Sequence, residues 1–139
     1  MKKTAKTSKK GFTLVELIVV LVILAVLAAM LVPALVGYVD KAKAEKEYQT
    51  AATVYGAAQA TITEMYGRDK ISGAGAIDQD TGSGYGAQVL SLAGVNTSAV
   101  TAFNFDFGSD YIISGGSVTI NSHVYTLTIT NGVPSWSAA

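Results

Sequence analysis

Residues 17–39, LIVVLVILAVLAAMLVPALVGYV, run for 23 positions without a charged side chain. As an α-helix this stretch is about 34 Å long, enough to cross the ~30 Å hydrocarbon core of a bilayer. In a chain of 139 residues one further modest domain is all that fits beside it. The charges are segregated just as sharply. Five of the ten basic residues are Lys2, Lys3, Lys6, Lys9 and Lys10; beyond Gly11, five bases face ten acids, a net charge of −5. The leading lysines predict a cytoplasmic N-terminus by the positive-inside rule. The acidic body argues against nucleic-acid binding.

The residue inventory removes most enzymatic chemistry. There is no cysteine, which excludes a disulfide scaffold, a thiol nucleophile and thiolate metal sites. His123 is the single histidine, too little for a histidine metal centre or a Ser-His-Asp triad. No enzyme and no cofactor are expected.

The apolar run is too long for the ~7–15-residue core of an ordinary secretory signal, and no small-x-small cleavage site follows it. A plain signal-anchor accounts for the lysines but not for Glu16. A carboxylate at the head of an apolar helix costs several kcal/mol to bury unless it is paired, so it marks a functional position.

The segment Lys9-Lys10-Gly11-Phe12-Thr13-Leu14-Val15-Glu16-Leu17 resembles the N-terminus of type IV prepilins, the class III signal of pilins and pseudopilins. Pro33 falls at the proline place of that pattern when counted from Phe12. The resemblance covers roughly residues 1–50 and is architectural beyond them. It implies a leader of residues 1–11, cleaved between Gly11 and Phe12 by a membrane-embedded prepilin peptidase that also methylates the new Phe12 amine. It further implies that Glu16 pairs with the Phe12 amine of a neighbouring subunit. Such a pairing would set the axial register of a helical homopolymer, as a buried polar residue sets coiled-coil register. Gly11 suits a close peptidase approach because it has no side chain. Pro33 and Gly37 would let the helix give up local hydrogen bonds.

After residue 39 the helix is expected to continue as an amphipathic one to about residue 66. Lys41 with Glu45 and Lys43 with Glu47 stand at i,i+4 spacing. Tyr48, Ala51, Ala52, Tyr55, Ala58, Ile62, Met65 and Tyr66 form a stripe suited to face a sheet, and Gly67 ends it. One helix from Phe12 to Tyr66 would be about 80 Å long, more than a domain of this size can bury. Its first half therefore belongs in lipid or against copies of itself.

Residues 72–86, rich in glycine, read as a loop. Residues 88–93 read as a short helix closed by Gly94. From Phe103 the period becomes two: Phe103, Phe105 and Phe107 alternate with Asn104 and Asp106. Strands at 111–113, 118–120, 124–130 and 133–136 are expected to follow. Tyr125, Leu127 and Ile129 share one face, and Asn131-Gly132 forms a hairpin turn. Pro134 confines the last strand to an edge. The expected fold class is α+β, a long N-terminal helix packed on an antiparallel meander of four or five strands over about residues 103–137. The expected organisation is leader 1–11, membrane or filament-core half 12–39, and soluble head 40–139. Without a disulfide, sheet pairing and burial of Trp136 must hold the tail. In this the chain looks more like pilins of Gram-positive, clostridia-like bacteria.

Minor constellations carry less. Asp78 and Asp80 resemble the start of a calcium loop but lack its remaining ligands. Asp106 and Asp110, with Asn104, are a second weak calcium candidate, suggested by the calcium sites of some pseudopilins. Asn96-Thr97-Ser98 matches the short glycosylation pattern. His123 reads as a turn residue with no acid beside it. Tyr38 and Lys41 read as interface anchors. The leading expectation is a pilus subunit held in the cytoplasmic membrane, then polymerised on the cell surface for adhesion, motility or colonisation, served by an assembly ATPase and a platform protein. The alternative is a pseudopilin of a type II secretion or competence system. A membrane-anchored adhesin leaves the Gly11-Phe12 and Glu16 pattern without a role.

Overall fold

The computed structural model describes residues 11–82 and 84–139. The leader residues 1–10, lysines included, lie outside the described residues. The chain divides into two compact units, Met1–Ala42 and Lys43–Ala139.

Helix α1, Leu14–Gly67, is 54 residues long. Leucine, valine, isoleucine and alanine at nearly every position from 17 to 36 favour burial of all sides of the helix, a pattern suited to lipid. The most apolar stretch of α1, in the first unit, is long and apolar enough to cross a membrane. Pro33 lies within α1, where it cannot donate to the Ala29 carbonyl one turn earlier.

In the second unit α1 becomes amphipathic. Ala51, Val54, Ala58 and Ile62 are fully buried, with Ala57, Thr61 and Met65 beside them. Thr61 satisfies its hydroxyl on the Ala57 carbonyl at 2.9 Å. Two residues of the expected stripe lie outside it. Ala52 is exposed because it is rotated about 100° from Ala51, and Tyr66 is exposed although it stacks on Tyr111 with ring centroids 4.3 Å apart.

The sheet consists of β1 (Gly75–Asp78), β2 (Val100–Phe107), β3 (Ile113–Ile120), β4 (His123–Thr130) and β5 (Val133–Ala138). They lie in that order, each antiparallel to the next. Helix α2, Tyr85–Ala93, links β1 to β2 and ends on Gly94 in the left-handed conformation. The alternation expected in β2 and β4 is present. Phe103, Phe105, Phe107, Tyr125 and Leu127 are buried, while Asn104, Asp106, Thr126 and Thr128 face solvent. Each large buried apolar side chain contributes about 1.5–3 kcal/mol.

The glycine-rich stretch corrects two boundaries. It contains strand β1, paired with β2 from Gly75 opposite Phe107 to Asp78 opposite Asn104, and α2 begins at Tyr85 rather than at residue 88. Gly115 and Gly116 were expected to separate two strands, yet both lie inside β3. The cause is a close approach. A side chain on Gly116, at φ 155°, would collide with the Asn104 carbonyl of β2. The glycine thus permits strand contact instead of breaking it. Ser114 is the extra residue of a bulge, since Asp106 pairs with Gly115 and Phe107 with Ile113. Positive φ at Asn131 (53°) and Gly132 (79°) gives the expected hairpin turn between β4 and β5. Trp136 of β5 is half-buried, edge-on to Tyr55 and to Phe105 at 6.4 Å each.

Candidate processing and assembly site

Gly11 and Phe12 precede α1, and Phe12 is 83% exposed. A side chain placed on Gly11 would meet nothing within 4 Å. The fold itself therefore makes no demand for glycine at that position.

Thr13 and Glu16 form a reciprocal pair at the head of the helix. The Thr13 N–H donates to Glu16 Oε2 at 3.3 Å, and the Glu16 N–H donates to Thr13 Oγ1 at 3.2 Å. This is a capping box, which satisfies two backbone donors that a helix start leaves without partners. It places a negative charge at the positive end of the helix dipole. Threonine followed by glutamate three residues later is its sequence signature. Around the carboxylate, Phe12, Val15, Val19 and Val20 line a shallow apolar depression. Glu16 is thus a charge set among apolar side chains, with a local partner at Thr13.

A second polar centre lies wholly within the second unit. Glu47 of α1 accepts from Asn121 Nδ2 at 3.1 Å and from the Tyr125 hydroxyl, and lies 3.1 Å from His123 Nδ1. The Glu47 side chain is only 12% exposed. Burial pushes its carboxyl up. Hydrogen bonds from Tyr125, Asn121 and His123, with the charge of His123, outweigh burial and hold it below its ordinary value. Burial first, then the Glu47 hydrogen bond and charge, push the Tyr125 phenol up to about 12.

This centre corrects two expectations. His123 is not a turn residue without an acid; it opens β4 and meets Glu47. Glu47 does not pair with Lys43. Among the described residues the ion pairs are Arg68 with Glu64 at 2.9 Å and His123 with Glu47, so the expected pairs on residues 41–47 do not form. No local signal announced the centre, because Glu47 and its partners are 74 to 78 residues apart. Gln59 escaped notice for the same reason. Its amide donates to the Tyr111 carbonyl and accepts from the Ile113 N–H, both at 2.8 Å.

The aspartates are spread out. Asp78 Oδ1 accepts from the Asp80 N–H at 3.0 Å and from the Thr81 hydroxyl at 2.9 Å, forming a local turn. Asp106 stands in β2 opposite Ala76 and Gly115. Asp110 Oδ1 accepts from the Ile112 N–H at 3.2 Å. Among the described residues no three acidic or histidine side chains converge on one point. Asn96 is exposed and its Oδ1 accepts from the Ser98 N–H at 2.8 Å.

No curated protein and no solved structure matches the chain. Residues 6–32 match the family model of the prokaryotic N-terminal methylation motif. The match spans the leader end, Gly11, Phe12, the capping box and most of the apolar half of α1. Together with an N-terminal apolar helix that precedes a five-stranded antiparallel sheet, it supports describing the chain as a type IV pilin-like prepilin.

Proposed function

We propose that the chain is a structural subunit of a type IV pilus. It is made as a prepilin, cut between Gly11 and Phe12, methylated on the Phe12 amine and polymerised into a surface filament. It is not an enzyme: the peptidase and methyltransferase act on it, and an assembly ATPase and a platform protein drive its polymerisation. Before assembly it is held in the cytoplasmic membrane by the apolar half of α1.

One observation carries this reading. The methylation motif stands at the head of a helix whose first part is long and apolar enough to cross a membrane. Apolar surface on that scale must be covered by lipid or by protein. A filament core of packed helices covers it, with each Glu16 set against the Phe12 amine of a neighbour. In an apolar setting that attraction offsets part of the desolvation of both charges.

Electron microscopy of sheared surface filaments, with mass spectrometry of their main subunit, tests the proposal. Long filaments built of this chain starting at Phe12 are expected. Processing without long filaments would instead favour a pseudopilin of a secretion or DNA-uptake machine. A subunit starting at Met1, or cut beyond the apolar run, would overturn both.

A further inference from the structure

Asn96-Thr97-Ser98 fits the Asn-x-Ser/Thr pattern of a glycosylated asparagine, and it stands on the turn between α2 and β2. The chain has four asparagines, and only this one is followed two residues later by serine or threonine. The pattern alone is short. The structure adds that all three of its residues are exposed, and that the turn holds the asparagine side chain in one particular arrangement.

Asn96 Oδ1 accepts from the Ser98 N–H at 2.8 Å, which closes the side chain onto the backbone two residues ahead. The Asn96 carbonyl accepts from the Ala99 and Val100 N–H groups at 3.0 and 3.1 Å, so the main chain of the turn is held as well. The amide is thereby divided. Its oxygen is engaged, and among the described residues its Nδ2 has no hydrogen-bond partner. The other asparagines are placed differently. Asn121 donates its Nδ2 to Glu47, Asn104 stands inside β2, and Asn131 sits in the β4–β5 turn with positive φ.

This division bears on reactivity. An amide nitrogen is a poor nucleophile because its lone pair is shared with the carbonyl. To react it must lose a proton, and the negative charge then gathers on the oxygen. A hydrogen bond donated to Oδ1 stabilises that charged form.

We propose that Asn96 is the acceptor for an N-linked glycan delivered from a lipid diphosphate on the outer side of the membrane. The proposal rests on the membrane-held precursor described above, whose leading lysines stay in the cytoplasm and whose head lies on the opposite side. Nδ2 forms a bond to the anomeric carbon of the first sugar. The bond from that carbon to the diphosphate oxygen breaks, and the lipid diphosphate leaves with the electron pair. The proton from Nδ2 passes to a carboxylate of the transferase, and nothing is oxidised or reduced. The Ser98 hydroxyl is the handle by which the transferase holds the turn. A glycan is bulky and keeps to solvent, so the α2–β2 turn is then barred from contacts between subunits.

The test takes the full chain from the cells that make it. Protease added to wall-free cells first establishes on which side of the membrane the head lies. Mass spectrometry of the peptide containing Asn96 then reads its occupancy, and a mass excess of whole sugar units on Asn96 is expected. Asn96→Asp keeps an acceptor for the Ser98 N–H but loses the amide nitrogen, so the excess should vanish while thermal unfolding stays that of the parent. Ser98→Ala keeps the N–H of the turn and should lose the excess as well, whereas Ser98→Thr and Thr97→Ala should retain it. A head open to protease with Asn96 bare overturns the site alone. An excess that survives Asn96→Asp and vanishes in Thr97→Ala overturns the asparagine in favour of a hydroxyl acceptor. A head that protease cannot reach overturns the membrane reading and this site with it.

Discussion

The Tyr125 hydroxyl, carried on β4, donates to the Glu47 carboxylate on α1, so the head's helix and sheet are joined by a phenol and an acid 78 residues apart in sequence. Asn121 and His123 converge on the same carboxylate. Glu47→Ala is expected to destabilise the head by about 1–3 kcal/mol, because it strips the buried Tyr125 hydroxyl of its acceptor, while exposed Asn121 and His123 turn to water. Tyr125→Phe should cost about 1 kcal/mol, since it removes one hydrogen bond and keeps the ring. Thermal unfolding followed by near-ultraviolet circular dichroism measures both. An unchanged midpoint for Glu47→Ala would remove this centre from the account of stability.

The same pair fixes the limits of pH stability. The Glu47 carboxyl is held below its ordinary 4.5 in the fold. Its contribution is therefore complete above that value and is lost as pH falls through the lower folded one. The Tyr125 phenol is raised from 10.0 to about 12. Its contribution is complete below the first value and lost as pH rises through the second. Unfolding midpoints should show a plateau between these limits, and Glu47→Gln should flatten the acid side.

Charge and cap can be separated at the head of α1. Glu16→Gln keeps an acceptor for the Thr13 N–H but removes the charge, whereas Thr13→Val removes the hydroxyl and keeps the charge. If assembly depends on the pairing with Phe12, filaments disappear in Glu16→Gln and persist in Thr13→Val, counted by microscopy. Membrane insertion should persist in both, and Glu16→Ala should insert slightly better than the parent. Normal filaments from Glu16→Gln would leave capping as the residue's role.

Gly11→Val should accumulate as full-length precursor in the membrane, read by intact mass. Nothing in the fold crowds this position, so a processing defect cannot be assigned to misfolding. Normal cleavage of the valine variant would remove the reason given for glycine.

Residues 40–139 alone should form a soluble, folded monomer. The buried residues of the core, from Ala51 to Leu127, all belong to the second unit, and about 100 residues suffice for an independent core. Circular dichroism and sedimentation decide it, and a disordered fragment would show that the head depends on the segment removed.

The sequence was legible where the signal is local. A 23-residue uncharged run, the Phe103-Phe105-Phe107 alternation and Asn131-Gly132 each announce their structure within a few residues. It was misread where a local preference met a distant partner. Gly115 and Gly116 look like a break, but Asn104 and Phe105 of β2 make glycine the residue that lets β3 continue. Lys43 and Glu47 stand at pairing distance on a helix, but three donors from the β3–β4 hairpin and β4 hold the acid instead. The Thr13 and Glu16 cap was local and legible, and a reading of Glu16 as an intermolecular partner hid it.

The two outer strands of the sheet are β1, four residues long, and β5, which contains Pro134. Short strands and proline make poor templates for a further chain. A protein stored at high local density in a membrane risks stacking edge to edge into insoluble cross-β aggregates. Here both borders of the sheet are blunted against that route, so the sheet offers no ready edge to a second copy.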